Sequence, residues 1–225
     1  MTNPHEIALR SFLEFLNARS DAYILKGGTA LAQCYGLDRE SEDIDLDSAQ
    51  KDGLREIVQG YCDSCAATYR VAKDTDTVER FMIHYNEVDY LKVEVSYRRK
   101  VIPTDEVCNI NGIWVYKIEP LCLMKCNAYS NRDRVRDMFD ISFIVNNFYD
   151  QLSESARFMV QDTLGQKGLE QFDYLVATEA DPLIDIGRLE SAFLKAYERI
   201  GLLSAADALP SLADKAHGAK AGLGL

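Results

Sequence analysis

Ile24-Leu25-Lys26-Gly27-Gly28-Thr29-Ala30-Leu31, with Arg39-Glu40-Ser41-Glu42-Asp43-Ile44-Asp45-Leu46 shortly after it, is the stretch from which the fold is read. The apolar run Tyr23, Ile24, Leu25 stops at a glycine pair and gives way to Thr29-Ala30-Leu31-Ala32, which favours helix. The order is therefore strand, glycine turn, helix start. Two residues without Cβ let an anion approach the backbone, and the free N–H groups of a first helical turn, aided by the helix dipole, face it. A triphosphate tail fits such a turn.

Asp43 and Asp45 are two residues apart, so in an extended segment both side chains point one way while Ile44 and Leu46 point to the core side. Two like charges side by side call for a cation. Mg²⁺ is hard and oxygen-seeking, takes one or two carboxylates, and completes its octahedron with waters and substrate phosphates. A pair of such ions clamps the attacking and leaving oxygens of an in-line phosphoryl displacement.

Gly27-Gly28-Thr29 followed by Arg39, Ser41, Asp43-Ile44-Asp45-Leu46 resembles the first motif of the nucleotidyltransferase-like toxins of the AbiEii/AbiGii type, within the polymerase-β-like nucleotidyltransferase superfamily. Lys92-Val93-Glu94-Val95, Leu123-Met124-Lys125, and Arg136-Asp137 with Asp140-Ile141 agree with that family in order and character, so the likeness covers residues 20 to 145. A lone Gly-Gly or Asp-x-Asp occurs by chance in many chains; the ordered set carries the resemblance.

The resemblance implies an α/β (α+β) fold: a small mixed sheet flanked by helices, carrying the acidic residues, with a helical C-terminal half that closes the cleft. The expected division is a core over 1–118, helices over 119–212, and a flexible tail over 213–225. By the same resemblance Asp43, Asp45 and Glu94 hold two Mg²⁺ ions, and Gly27, Gly28, Thr29 and Ser41 cradle the phosphates of a nucleoside triphosphate. Lys125 neutralises the leaving pyrophosphate, Arg39 belongs to the nucleotide-binding set, and Arg136 and Asp140 of that set, with Asp137, shape the back of the cleft. Lys26 is either a phosphate contact or a strand-end surface residue. The resemblance also implies an RNA hydroxyl, a tRNA end for instance, as acceptor of the nucleoside monophosphate, and a paired antitoxin. The alternatives are an enzyme that nucleotidylates a protein hydroxyl, and a catalytically silent module that binds a nucleotide and a partner.

Several features have a plainer reading. Glu94 sits on the same strand face as Tyr90, Lys92 and Ser96, where a Lys92–Glu94 pairing on a wet sheet face accounts for it. Arg136 and Asp140, four apart on a helix, suit an intrahelical ion pair worth a few tenths of a kcal/mol, on the order of 0.3. Cys62 and Cys65 are spaced as one face of a helix, and no second Cys pair or nearby His completes a zinc site.

With 225 residues, 47% of them hydrophobic, the chain can bury a real core. No run approaches the roughly 18 to 20 apolar residues of a membrane span, and Glu6, Arg10, Glu14 and Arg19 interrupt the N-terminal stretch, so a soluble cytoplasmic protein with reduced cysteines is expected. A formal charge of −11 excludes broad nonspecific attraction to nucleic acid. Local basic patches at Arg98-Arg99-Lys100, or at Lys125 with Arg132, Arg134 and Arg136, remain suited to a structured RNA. Asn3-Pro4-His5-Glu6 reads as a helix start, with Ile7, Leu9, Phe12, Leu13 and Leu16 as its packing face. Residues 51–66 read as a helix, 80–85 and 90–97 as a β-hairpin, and helices are expected from Glu119 onward, including 153–165, 168–177 and 188–202.

Overall fold

The computed structural model describes residues 3–179 and 181–203. The first helix, α1 (Pro4–Asn17), starts as its sequence dictates: the Asn3 side chain accepts the amide of His5, and proline occupies the first turn. Leu9, Phe12, Leu13 and Leu16 are buried, but Ile7 is 56% exposed and Ala8 takes its expected place on the packing face. The helix period carries Ile7 one step past the apolar stripe.

β1 (Ile24–Lys26) runs straight into α2 (Gly27–Tyr35), and β2 (Asp43–Asp47) follows. After α3 (Leu54–Cys65) come β3 (Thr68–Thr75), β4 (Val78–His84) and β5 (Tyr90–Ser96), then β6 (Val107–Ile110) and β7 (Ile113–Tyr116). These form one mixed sheet in the order β3-β4-β5-β2-β1-β7-β6. β4 and β5 make the expected hairpin, whereas β3, β6 and β7 were not anticipated. β3 is exposed along nearly its whole length at the sheet edge, so it shows no apolar alternation. The β6–β7 connection is Asn111-Gly112, both at positive φ (51° and 88°), the residues that a tight hairpin turn favours.

α1 packs on β5 and β7, and α2 on β1, β2, β7 and α4. The helical half comprises α4 (Ile118–Asn131), α5 (Val135–Phe148), α6 (Glu154–Thr178) and α7 (Ile186–Arg199). α6 is broken at Gly168, whose φ of 66° and extended ψ are non-helical, which matches the two separate segments expected there. One continuous apolar core joins α1, the sheet and the four C-terminal helices. No helix among the described residues is long and apolar enough to cross a membrane. The tail expected over 213–225 lies outside the described residues.

Candidate active site

The site is set by strand register. β2 and β5 are parallel, with Asp43 opposite Lys92 and Asp45 opposite Glu94, while β4 lies antiparallel to β5 with Arg80 opposite Glu94. Residues paired across a pleat share a face, so Asp43, Asp45, Glu94, Lys92 and Arg80 all project to one side. Ile44, Leu46, Val93 and Val95 project to the other, where they are fully or almost fully buried. The polar side opens into a cavity of about 490 Å³, which Asp43, Asp45, Glu94 and Lys125 line together with the glycine turn at Gly28 and Ser41.

The carboxylates differ in their partners. Lys92 Nζ lies 2.5 Å from Asp43 Oδ2, and Arg80 Nε donates to Glu94 Oε2 at 2.6 Å. The plainer Lys92–Glu94 pairing is thus not formed. Asp45 stands between the two, half-buried, with no hydrogen bond or ion pair among the described residues. Burial, then the neighbouring Asp43, with Glu94 adding, raises its pKa against the pull of Lys92 and Lys26. Among the described residues no three carboxylates converge ready-made as a metal ligand set, because the outer two are turned onto Lys92 and Arg80. The donor chemistry nevertheless suits a hard divalent cation: the cluster offers only oxygens, one carboxylate has no counter-charge, and the other two are held by solvent-touched cations.

Next to Asp45, Gly27 has φ of 76°, a conformation that L side chains rarely adopt, and a Cβ there would lie 3.2 Å from Asp45 Oδ2. At Gly28 a Cβ would meet the Arg39 guanidinium. Both glycines are needed for α2 to begin this close to the acidic strand. No side chain caps α2, so its first N–H groups are open to an anion. Thr29 is buried; its Oγ1 lies 2.8 Å from Ser41 Oγ and donates to the Asp43 carbonyl, fixing the loop before β2. Lys26 reaches Asp47, with Nζ 2.5 Å from Oδ1, and does not line the cavity.

Behind the cavity lies a buried charge network. Arg39 donates to both oxygens of Asp140, from Nε and Nη2, each at 2.8 Å. Lys125 Nζ is 2.7 Å from Asp140 Oδ2 and 3.1 Å from Asp137 Oδ1. Burial works against the Lys125 charge, but Asp140 and Asp137 outweigh it and its pKa is raised. Asp137 is likewise desolvated yet held below the ordinary carboxylate range by Lys125 and Arg132. Arg136 does not pair with Asp140 as helix spacing suggested. It forks onto Asp181, lies 3.7 Å from Glu42, and its pKa rises chiefly through the Asp181 hydrogen bond.

A family description, the AbiEii nucleotidyl transferase toxin of type IV toxin–antitoxin systems, matches residues 12–215. The chain belongs to the AbiEii nucleotidyltransferase toxin family. No curated protein matches it. Among solved structures, a candidate nucleotidyltransferase from H. pylori is 28% identical with a TM-score of 0.74, the match covering 88% of this chain and 92% of that one. JHP933 from Helicobacter pylori is 26% identical with a TM-score of 0.72, over 96% and 95% of the two chains. MenT4, a nucleotidyltransferase toxin from Mycobacterium tuberculosis H37Rv, shares the fold at 16% identity and a TM-score of 0.51, over 90% and 84%.

In this AbiEii chain the structure brings Asp43, Asp45, Glu94, Lys125, Gly28, Ser41, Arg39 and Arg136 around one cavity. Gly27, Thr29 and Asp140 stand directly behind its wall, and Lys26 stands apart from it. Arg80, Asp47 and Asp181 were missed. Arg80 was discoverable, since counting the 80–97 hairpin places it across from Glu94; Asp47 continues the alternation of Asp43 and Asp45. Asp181 is 45 residues from Arg136 and carried no signal. A second cavity of about 1030 Å³ adjoins the first at Asp43 and Lys92, and its rim is acidic through Glu6, Asp38, Glu40, Asp89 and Asp185.

Proposed function

We propose that the protein transfers a nucleoside monophosphate from a nucleoside triphosphate to a hydroxyl of RNA, a tRNA end being one candidate, as the toxin of a cytoplasmic toxin–antitoxin pair. The acceptor oxygen attacks the α-phosphorus, the bridging bond to the β-phosphate breaks, and pyrophosphate leaves. The observation that carries this reading is Asp45: an unpaired, half-buried carboxylate between Asp43 and Glu94, facing the uncapped start of α2.

Asp43, Asp45 and Glu94 would hold Mg²⁺, two ions for this class of transfer, which supplies charge neutralisation at the attacking and leaving oxygens. Glu94 orients the acceptor hydroxyl and accepts its proton. The amides of the Gly27-Gly28 turn, with Ser41, receive the β and γ phosphates, and Thr29 holds Ser41 in place. Lys125 has three donors, of which Asp137 and Asp140 take two, leaving one for the departing pyrophosphate. Arg39 and Asp140 position Lys125, Arg136 shapes the rim, and Lys26 supports β2 through Asp47. The helical half from Glu119 onward forms the far wall of the cleft. Such transfers draw most of their rate from positioning and electrostatics, and the buried Arg39–Asp140–Lys125 network would supply the positioning.

RNA is favoured by cations that line the cavity, Arg80, Lys92, Arg132, Arg134 and Arg136, each now paired with a carboxylate for which a phosphate would compete. A protein hydroxyl is the second reading, because the adjoining acidic cavity suits a basic polypeptide. The test is incubation with each labelled nucleoside triphosphate, Mg²⁺ and total tRNA, following label in RNA and in protein separately. Label in RNA that vanishes in Asp43→Ala/Asp45→Ala supports the first reading, and label in protein supports the second. No label with nucleotide binding intact would make the protein a silent sensor.

A further inference from the structure

Of the three acidic side chains that β2 and β5 bring together in the cleft, two already have a cation, and each cation comes from a fixed register position. Lys92 faces Asp43 across the β2–β5 pair, and Arg80 faces Glu94 across the β4–β5 pair. Backbone pairing therefore puts both cations on the same face of the sheet as the acidic cluster, within reach of it. Neither pair is sealed: the side chains are 28% and 43% exposed in Lys92–Asp43, and 36% and 27% in Arg80–Glu94. Wet ion pairs hold weakly and exchange readily. The Arg39–Asp140 pair, at 5% and 0%, has no such freedom.

We infer that Lys92 and Arg80 are exchangeable counter-ions that become an anion subsite once a divalent cation takes their carboxylates. The inference rests on the nucleotidyltransfer reading and deepens it. A divalent cation bound by Asp43, Asp45 and Glu94 cancels the charge that holds Lys92 on Asp43 Oδ2 and Arg80 on Glu94 Oε2, and the two released side chains are left on the Glu94 side of the cleft, away from the glycine turn. In the proposed reaction the acceptor lies on that side, because Glu94 orients its hydroxyl. A pair of cations beside the acceptor hydroxyl selects an acceptor with a phosphodiester next to that hydroxyl, which is the end of a nucleic-acid strand and not a serine, threonine or tyrosine. Coupling of this kind is reciprocal: the cation tightens the anion and the anion tightens the cation.

The sign of the effect is diagnostic, because added cation ordinarily weakens phosphate contacts by competition. Calorimetric titration of the full chain with an RNA trinucleotide bearing a free 3′-hydroxyl, without nucleoside triphosphate, should show binding at least about fivefold tighter in Mg²⁺ than in chelator. The same trinucleotide with an uncharged methylphosphonate at its last linkage should show no gain, a comparison that needs no variant. Arg80→Gln/Lys92→Met should bind Mg²⁺ severalfold more tightly and lose the coupling. A Mg²⁺ gain that persists with the methylphosphonate or in a folded double variant, or Mg²⁺ binding no tighter in that variant, would overturn the inference. Titration with Mg²⁺ and nucleoside triphosphate separates the two levels. No nucleotide binding by the wild type sinks the nucleotidyltransfer reading itself, while nucleotide binding without Mg²⁺-coupled RNA binding sinks only this inference.

Discussion

Behind the cleft, Arg39, Asp140, Lys125 and Asp137 are buried and each has its partner; in front of it, Asp43 and Glu94 hold solvent-touched cations and Asp45 holds none. The same residue types serve opposite ends. A buried ion pair is costly to break because one charge is left without water or partner, so the rear network is a fixture. The front charges are near water and near one another, which leaves them free to change partners. Arg39, Asp137 and Asp140 keep the site in shape, Asp43, Asp45 and Glu94 can meet a ligand, and Lys125 joins the two groups, held from behind with one donor left for the cavity.

The largest effect should come from the front. Asp43→Asn/Asp45→Asn is expected to lower nucleotide transfer by at least about 10³-fold with little loss of fold, measured by label incorporation alongside circular dichroism. A folded double variant with substantial activity would break the distinction. Next comes the rear: Asp140→Ala leaves Arg39 and Lys125 short of a partner and should cost about 3–5 kcal/mol in denaturant unfolding. A loss below 1 kcal/mol, on the scale of a surface pair at about 0–1 kcal/mol, would place Asp140 with the front group.

A smaller effect concerns acid. The folded-state pKa of Asp137 is depressed, so its contribution is present above the ordinary aspartate pKa of about 3.9 and is lost as pH falls through the lower folded value. Unfolding followed from pH 6 downward should show this loss in the wild type and much less of it in Asp137→Asn. The smallest effect has the opposite sign. Asp45 is desolvated without a partner and its pKa is raised, so Asp45→Asn should stabilise the protein in the absence of metal, by on the order of 0.5–1 kcal/mol, while abolishing activity. A destabilised Asp45→Asn would mean that Asp45 belongs with the fixtures.

The front of the site was legible in the sequence because strand periodicity is local. Asp43-Ile44-Asp45-Leu46 announces its two faces, and Lys92-Val93-Glu94-Val95 does the same. At the rear the resemblance named the residues but not their pairing, since Arg39 and Asp140 are 101 residues apart and nothing near either points to the other. Helix spacing even pointed the wrong way, offering Asp140 to Arg136 when Arg136 belongs to Asp181. In the sheet, the hairpin that carries Glu94 was plain, but the polar edge strand β3 shows no alternation. The Asn111-Gly112 signal between β6 and β7 was present and went unused.

Parallel pairing of β2 with β5 also sets an order in time. The connection between them contains α3, β3 and β4, so Glu94 cannot stand beside Asp45 until that whole intervening stretch has been synthesised, and non-local pairings of this kind form slowly. Arg39 waits longer still, for Asp140 on α5. A chain emerging from the ribosome therefore displays Asp43 and Asp45 well before it has either the third acid or the latch behind them, and the reactive cleft closes only when synthesis has passed α5.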